Sequence, residues 1–350
     1  MELSEVLSFY KNKRVLVTGH TGFKGTWLCR ILAGAGAEVT GFALRPKEPS
    51  LFAMAGLEGR IGSVFGDIRD LGHLQKAFQQ AEPEIVFHLA AQPLVRESYQ
   101  NPVGTYGVNV MGAVHVCECI RASASVKSFV NVTTDKVYCN MEWEWGYRED
   151  DRLGGYDPYS SSKSCSELVT QSYKDSFFRG MGLAVSAVRA GNVVGGGDFA
   201  ENRIVPDCVR AAMGEGRIIV RNPKSVRPYQ HVLEPLAAYL MIAAEQYKDR
   251  QYEGSYNVGP REDDCVTTGE LAELFCKCWG DGVSWESCLE EGPHEASFLK
   301  LDCARMKQVF GWEQRWNIEE AIANTVAWTK AWLAGQDMAA FMDKQIEDFL

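Results

Sequence analysis

Tyr159 and Lys163 are the two side chains of this sequence whose types and spacing best suit proton transfer. Residues four apart share one face of a helix, and the preceding Asp157-Pro158 is typical of a helix start. A lysine ammonium beside a phenol favours the phenolate, so it lowers the pKa of the tyrosine, which can then take a proton from a hydroxyl group. The same spacing also occurs on helices without a catalytic role, so its meaning depends on the accompanying motifs.

A second group of reactive side chains, Thr134-Asp135-Lys136, lies inside the stretch VNVTTDKVYCN at residues 130–140. The apolar residues before it are typical of a strand, which places a hydroxyl, a carboxylate and an amine together at the strand's end. Such a triplet is either a solvated turn or the source of an acid and a base for one reaction. Motifs elsewhere in the chain must decide between the two.

Three glycines, Gly19, Gly22 and Gly25, follow a strand-like run at Arg14–Thr18 and precede apolar residues with helical spacing. In a strand–turn–helix unit the first glycine allows a tight turn and the second lets the backbone approach a pyrophosphate. The third lets helix and strand pack closely. The helix N-terminus then directs its N–H groups at the phosphates. The pattern therefore predicts a dinucleotide site near the start of the chain.

Strand-like and helix-like segments alternate through the first half of the chain, which predicts an α/β fold with a parallel, doubly wound sheet of the Rossmann type. Further strands are expected at SVFGDIRD, EIVFHLAAQ and KSFVNVTTDK, and helices near 71–80 and 102–122. Ligands bind at the carboxyl ends of parallel strands. Gly19, Asp67, Ala90 and Thr134 are therefore expected at one edge of the sheet.

The choice between NAD and NADP stays open in the sequence. The second predicted strand, Val39–Leu44, runs into RPKEPS without the acidic residue that would hold the ribose of NAD. Arg45 and Lys47 lie there instead. Either cation could contact the 2′-phosphate of NADP.

The length of 350 residues allows two lobes. We expect residues 1–190 to form the NAD(P)-binding domain, and residues 191–350 to form mainly a smaller, mixed α/β substrate lobe from which part of the chain returns to the first domain. The glycine-rich stretch after residue 190 is followed by a predicted helix at 204–213. Residues 189–227 are net positive, with Arg189, Arg203, Arg210, Arg217, Arg221, Lys224 and Arg227 against Asp198, Glu201, Asp207 and Glu215.

Composition excludes several classes of protein. A net charge of −10 argues against non-specific nucleic-acid binding, and no apolar run is long enough to predict a membrane span. The first residues lack the form of a targeting peptide. The eleven cysteines follow no C-x-x-C framework, which indicates free thiols in a reducing cytoplasm and no metal site.

Together these motifs resemble the extended short-chain dehydrogenase/reductase family, and within it the nucleotide-sugar 4,6-dehydratases. The family's glycine motif matches Gly19, Gly22 and Gly25, and its hydroxyl–tyrosine–lysine triad matches Thr134, Tyr159 and Lys163. The resemblance covers nearly the whole chain. It is carried by HLAAQPLVRESY at 88–99, TTDKVY at 133–138, GGYDPYSSSKSCSELV at 154–169, RAGNVVGGGDFAENRIVPD at 189–207 and RPYQHVLEPLAAYL at 227–240.

The resemblance implies a hydro-lyase that oxidises sugar C4 with a recycled NAD, loses water across C5 and C6, and returns hydride to C6. Tyr159 would take the C4 hydroxyl proton, and a buried, protonated Asp135 would protonate the C6 hydroxyl. Lys136 stands where relatives that act on dTDP-glucose have a glutamate base. It would remove the C5 proton when neutral, or stabilise the enolate while another group takes that proton.

The resemblance also implies binding residues. For the cofactor these are Gly19, Thr21, Gly22, Phe23, Gly25, Asp67, Ile68, Leu89, Ala90, Ala91, Asn109, Tyr159 and Lys163. For the nucleotide sugar they are Gln92, Arg96, Asn192, Arg203, Arg227 and His231. Arginine suits a diphosphate because it donates paired hydrogen bonds.

Overall resemblance favours CDP-glucose as the substrate and deoxysugar synthesis for surface polysaccharide, such as the O-antigen of lipopolysaccharide, as the role. The alternatives are a dehydratase or epimerase of another nucleotide sugar, or a dinucleotide-binding sensor without turnover. Relatives use the helices at 102–122 and 158–180 to form dimers, so a homodimer or homotetramer is expected.

Overall fold

The computed structural model of the protein describes residues 3–288 and 298–350. The strands in these ranges are mostly short, as is usual in globular proteins. They are β1 (Arg14–Thr18), β2 (Glu38–Ala43), β3 (Gly62–Phe65), β4 (Ile85–His88), β5 (Ser128–Val132), β6 (Ala184–Ala190), β7 (Val193–Val194), β8 (Arg217–Val220), β9 (Val226–Arg227), β10 (Gln230–His231), β11 (Ser255–Val258), β12 (Val266–Thr267) and β13 (Ser284–Ser287).

Helices fill most of the connections between the strands. They are α1 (Leu3–Phe9), α2 (Phe23–Gly34), α3 (Leu51–Met54), α4 (Leu71–Ala81), α5 (Val95–Gln100), α6 (Pro102–Tyr106), α7 (Gly112–Arg121), α8 (Pro158–Ser176), α9 (Ile204–Met213), α10 (Leu233–Lys248), α11 (Thr268–Trp279), α12 (Ala304–Phe310), α13 (Ile318–Leu333) and α14 (Met338–Phe349). A π-helical segment, Gly107–Met111, joins α6 to α7. No helix in the described part of the chain is long and apolar enough to cross a bilayer.

Seven parallel strands form the central sheet in the order β3-β2-β1-β4-β5-β6-β11. The sequence prediction of a doubly wound, Rossmann-type sheet is confirmed. The strand order reverses between β1 and β4, which is the switch point where such sheets bind ligands beyond the strand ends.

Both faces of the sheet are covered, which explains why its strands are apolar without alternation. Val15 and Val17 of β1 face one core, which contains α2 and α10. Leu16, between them, faces the second core with residues of α4 and α7. Parallel pairing with β2 on one side and β4 on the other fixes where β1 ends.

Part of the chain after residue 190 lies in the first domain. Strand β11 pairs with β6 in the main sheet. Helix α10 packs against the same sheet, where its Ala243 carbonyl accepts a hydrogen bond from Ser128 Oγ of β5 at 2.9 Å. The exact division of the chain at residue 190 stays a prediction.

The smaller lobe has its own core, in which α9, α11 and α13 pack around β8. Ile218, Phe275 and Ile322 are buried there. Strand β8 pairs in parallel with β13, and β9 pairs with β12 in the antiparallel sense. This lobe supplies one wall of a cleft whose other wall is the carboxyl edge of the central sheet.

Candidate active site

A cleft of about 1420 Å³ lies between the carboxyl edge of the sheet and the smaller lobe. Its size suits a dinucleotide together with a second ligand. Most of the residues predicted from sequence line it, namely Gly19, Thr21, Gly22, Phe23, Gly25, Asp67, Ile68, Leu89, Ala90, Ala91, Arg96, Thr134, Asp135, Lys136, Tyr159, Asn192, Arg203 and Arg227.

The glycine turn between β1 and α2 leaves no room for side chains at two positions. Gly19 has a φ of +79°, and a Cβ there would lie 2.8 Å from the backbone nitrogen of Ala90. A Cβ on Gly25 would lie 2.1 Å from the Gly19 carbonyl oxygen. Gly22 caps α2 without a side-chain hydrogen bond. The first N–H groups of α2 are therefore available to an anion in the cleft.

These features fit a dinucleotide. The turn lies at the switch point of the sheet, and the small residues Ala90 and Ala91 follow β4. Asp67 beyond β3 offers a carboxylate to the cleft, and Arg69 Nη2 holds it at 2.6 Å. The cation nearest the end of β2, Arg45, lies over the Phe65 ring at 4.7 Å.

The triplet Thr134-Asp135-Lys136 forms a short 3₁₀ turn directly after β5. Thr134 caps this turn, and its hydroxyl donates to Asp135 Oδ1 at 2.9 Å. Asp135 is 1 % exposed. Its Oδ2 is buried and accepts no hydrogen bond from the described residues. The Lys136 ammonium donates to Asp135 Oδ1 and to the Asn192 side-chain oxygen, each at 3.4 Å.

Helix α8 carries Tyr159 and Lys163 at its start, as the sequence predicted. Asp157 caps the helix by accepting from the Ser160 backbone, and Pro158 is the first helical residue. Both Tyr159 and Lys163 are buried. The Lys163 ammonium donates to the Val132 carbonyl at 3.1 Å, so it lies just behind the cleft wall. This bond ties α8 to the end of β5.

The expectation of a lowered tyrosine pKa is wrong for this structure. Burial raises the pKa of Tyr159 to about 12, and the nearby Asp135 carboxylate also raises it. A hydrogen bond with Thr134 and the charge of Arg203 act in the opposite direction. Burial lowers the pKa of Lys163 to about 8. Desolvation by the closed protein interior outweighs the effect of the lysine that the sequence suggested.

The smaller lobe brings cations to the other side of the cleft. Arg203 Nη1 lies 2.8 Å from Asp198 Oδ2, which holds the guanidinium in place. Arg227 is buried at the cleft wall on β9. Arg96, at the start of α5, has a buried Nε without a hydrogen-bond partner among the described residues. These arginines are positioned to meet an anionic ligand.

Besides Lys163, three predicted residues do not line the cleft. His231 is fully buried and outside the cleft lining, with its ring 4.8 Å from Trp316 and 6.4 Å from Trp27. The Gln92 side chain is turned away, because its amide donates to Leu94 O at 3.1 Å and to Thr105 Oγ1 at 3.0 Å. Asn109, the third, is buried and also outside the cleft lining.

Asn109 instead connects elements behind the site. It lies in the π-helical segment, a distortion that often occurs near functional sites. Its Oδ1 accepts from Gln92 N at 2.8 Å, and its Nδ2 donates to Gln92 O at 3.1 Å and to Ser162 Oγ at 2.8 Å. It therefore joins the loop after β4 to helix α8.

Lys24 is a cleft residue that the sequence interpretation missed. Burial lowers its pKa to about 7, Lys163 and Arg203 add to this shift, and Asp135 opposes it. Its ammonium lies 5.8 Å from the centre of the Tyr239 ring. The available signal was a lysine in the first turn of a helix, where the helix dipole disfavours a cation.

Within residues 3–288 and 298–350, no group of three or more His, Cys, Asp or Glu side chains is arranged to hold a metal ion. All eleven cysteines are free. Several are deeply buried, and burial raises the pKa of Cys119 to about 12.

Comparison with known proteins connects this geometry to a family. The family model for GDP-mannose 4,6 dehydratase matches residues 16–325. The chain is 46% identical to the CDP-glucose 4,6-dehydratase of Salmonella typhimurium over 98% of both chains. It is 26% identical to a dTDP-glucose 4,6-dehydratase of Xanthomonas campestris, over 91% of this chain and 95% of the relative.

A solved structure supports the fold. The dTDP-glucose 4,6-dehydratase of Bacillus anthracis, determined in complex with NAD, superposes with a TM-score of 0.78 at 20% identity, covering 93% of this chain and 99% of that one. The family match extends over most of the chain and includes both walls of the cleft. The chain therefore belongs to the GDP-mannose 4,6-dehydratase family of nucleotide-sugar dehydratases.

Proposed function

We propose that this protein is a CDP-glucose 4,6-dehydratase that converts CDP-glucose into CDP-4-keto-6-deoxyglucose. The observation that carries the proposal is the Asp135–Lys136 pair on the cleft wall beside Tyr159. An epimerase of this fold needs the hydroxyl, tyrosine and lysine alone. A dehydratase also needs an acid for the C6 oxygen and a group that handles the C5 proton.

NAD is the cofactor that fits this site, and when bound it supplies the acceptor and donor of hydride. The turn at Gly19–Gly25 and the N-terminus of α2 would hold its pyrophosphate, and Asp67 would contact its adenosine portion. The bound NAD in the solved Bacillus anthracis dehydratase supports this choice over NADP. Lys163, close behind the wall, would orient its nicotinamide ribose.

The side chains of this chain would divide the proton transfers among them. Tyr159 takes the proton of the C4 hydroxyl in its phenolate form, which burial disfavours and the charge of Arg203 favours, with Thr134 holding the phenol oxygen in place. Asp135, buried with an unpartnered Oδ2, gives a proton to the departing C6 oxygen. Lys136 acts on C5, either as the base or as the cation that stabilises the enolate. Asn192 fixes the Lys136 ammonium for either role.

The cytidine assignment is supported by the 46% identity to the Salmonella CDP-glucose enzyme over 98% of the chain. The arginines of the smaller lobe would bind the diphosphate of the substrate. The eleven free cysteines support a reducing, cytoplasmic setting. A homodimer or homotetramer built through α6–α8 is part of the proposal, because these helices carry exposed apolar side chains.

To test this proposal, the purified protein is incubated with NAD and one of four nucleotide sugars: CDP-glucose, dTDP-glucose, GDP-mannose or UDP-glucose. The mass of each product is measured by mass spectrometry. Loss of one water from CDP-glucose is the expected result, and Asp135→Asn should abolish it. Loss of water from another sugar alone would overturn the cytidine assignment. Unchanged mass in every tube would contradict dehydration, and a product of equal mass but altered stereochemistry would identify an epimerase.

A further inference from the structure

A buried ion pair lies beneath the proposed catalytic turn. Arg189 of β6 and Glu167 of α8 are 3 % and 4 % exposed, and their side chains approach to 2.5 Å. Neither residue lines the cleft. Burying two charges is costly, and a well-packed apolar pair of the same volume is often equally or more stable. A contribution to stability alone is therefore a weak explanation for this pair.

The ion pair reaches both ends of the Thr134–Val137 segment. Thr133, the residue before the segment, donates from its hydroxyl to Glu167 Oε1 at 2.6 Å. Tyr138, the residue after it, accepts from Arg189 Nη1 at 2.8 Å. The guanidinium also lies 4.9 Å from the centre of the Tyr138 ring. One pair of side chains therefore holds both flanks of the segment that carries Asp135 and Lys136.

The same pair is linked to the helix that carries the tyrosine and lysine. Glu167 follows Lys163 by four residues on α8, so the two lie on one helix face. The Glu167 carboxylate favours the charged form of Lys163, against the effect of burial. Tyr138 in turn donates to Asn257 Oδ1 of β11 at 2.6 Å. The network thus spans β5, β6, β11 and α8.

We propose that the Glu167–Arg189 pair is a positioning device, which sets the Asp135–Lys136 turn at the distance from the α8 pair that water elimination requires. This inference rests on the proposed function. The two residues act through Thr133 and Tyr138 and do not touch the substrate. Displacement of a reacting group by about 1 Å can cost on the order of 100-fold in rate, so small shifts of the turn are enough to slow elimination.

Two conservative variants each release one flank of the turn from the ion pair, and the second also removes the hydrogen bond from Tyr138 to Asn257. Thr133→Val removes the hydroxyl that bonds Glu167, and Tyr138→Phe removes the phenol oxygen that bonds Arg189. Matched controls are Thr170→Val on α8 and Tyr256→Phe on β11. The first deletes a buried hydrogen bond to Ser166 O at 2.8 Å and one from Asn131 Nδ2 at 2.8 Å, and the second deletes a partly buried hydrogen bond to Tyr252 O at 2.7 Å. Comparable losses of thermal stability are expected in all four variants.

Two substrates separate the steps of the reaction. CDP-glucose reports the complete dehydration. CDP-6-deoxyglucose has no C6 hydroxyl and can undergo only the C4 oxidation, which is monitored by the absorbance of reduced NAD. We expect Thr133→Val and Tyr138→Phe to lower kcat for CDP-glucose by about 10- to 100-fold with KM changed less than about twofold. Oxidation of the deoxy analogue should stay close to the wild-type rate, and both controls should keep wild-type kcat.

Hydrogen exchange of the peptide that covers residues 130–140 gives a readout that is independent of activity. Amides of the turn should exchange faster in Thr133→Val and Tyr138→Phe than in the controls. Wild-type kcat in both variants, or exchange no faster than in the controls, would overturn the positioning role. If the wild-type protein dehydrates none of the sugars, the proposed function fails by itself, and the exchange measurement still decides whether the ion pair holds the turn.

Discussion

The Lys136 ammonium lies 3.4 Å from Asp135 Oδ1, so the proposed acid and the group that acts on C5 belong to one contact pair. Their exposures differ, because the Asp135 side chain is 1% exposed and that of Lys136 is 29% exposed. The carboxylate is therefore fixed inside the wall, whereas the lysine can extend into the cleft. This difference gives the two residues separable roles.

Substitutions of Lys136 should distinguish a base from a stabilising cation. Lys136→Arg keeps the charge but cannot lose its proton, because the guanidinium stays protonated in proteins. Lys136→Gln removes both properties. If Lys136 is the base, solvent deuterium should enter C5 at least about 100-fold more slowly in both variants. If it stabilises the enolate, only Lys136→Gln should lose exchange, which NMR of the sugar would record. If solvent deuterium enters C5 at the wild-type rate in both variants, Lys136 is neither the base nor the stabilising cation.

Alanine substitutions at two glycines of the β1–α2 turn should affect different properties, stability in one case and NAD binding in the other. Gly25→Ala would place a Cβ 2.1 Å from the Gly19 carbonyl oxygen, and we expect it to destabilise the protein by about 3 kcal/mol or more. In Gly22→Ala the Cβ would meet the same oxygen only at 3.3 Å, so stability should change little. The methyl group would still hinder the pyrophosphate. Thermal unfolding without cofactor checks the loss of stability in Gly25→Ala, and calorimetric titration with NAD checks the weaker binding in Gly22→Ala. Equal NAD affinity in Gly22→Ala and wild type would contradict the expected hindrance.

Burial of Lys163 should make stability depend on pH. Its folded pKa is lowered to about 8, so below that pH the folded protein carries a desolvated charge. Between about pH 8 and the unfolded value near 10.4, the unfolded chain binds more protons, and the free energy of unfolding rises with pH. This contribution reaches about 3 kcal/mol at most, and it should be absent in Lys163→Met. Urea unfolding of the wild type and of Lys163→Met at about pH 7.5 and 10.5 measures their difference in free energy of unfolding. That difference should be the same at the two pH values if the lysine titrates normally.

The exposed side chains of α6–α8 should control assembly. Leu168 on α8 is 59% exposed, and Val103 on α6 is 83% exposed. Contiguous patches of exposed apolar side chains often mark an interface between subunits, and Tyr106 and Met111 are exposed in the same region. We expect Leu168→Glu to shift the protein to a monomer in size-exclusion chromatography with light scattering. Leu333→Glu, at a position of 47% exposure on α13, is the matched control and should keep the wild-type mass. A monomeric wild type would contradict the assembly itself.

Most of the sheet and its flanking helices could be predicted from the sequence because local signals mark their ends. Helix α9 spans Ile204–Met213, as predicted, and α8 begins with the Asp157 cap and Pro158. The predicted edge of the sheet also holds, since Asp67, Ala90 and Thr134 all line one cleft. These features follow from short-range rules of capping, periodicity and glycine conformation.

Features that depend on packing between distant segments could not be predicted. His231 follows a polar stretch, yet Trp27 and Trp316 from remote parts of the chain enclose it. The pKa of Tyr159 depends on how completely neighbouring elements exclude water, which the Tyr–Lys spacing does not report. The contact between Gln92 and Thr105 could not be predicted for the same reason, because the two residues meet only after α5 and α6 fold.

The return of α10 and β11 to the central sheet has a consequence for exchanging parts between relatives. A cut at residue 190 would leave β6 as an unpaired edge strand. It would also expose the apolar face of the sheet against which α10 packs, and both conditions favour aggregation. A chimera that changes substrate preference should therefore graft the smaller lobe as three inserts, residues 191–229, 262–287 and the α13 segment 318–333, which shares the core of that lobe. The intervening α10–β11 segment would stay with its own sheet.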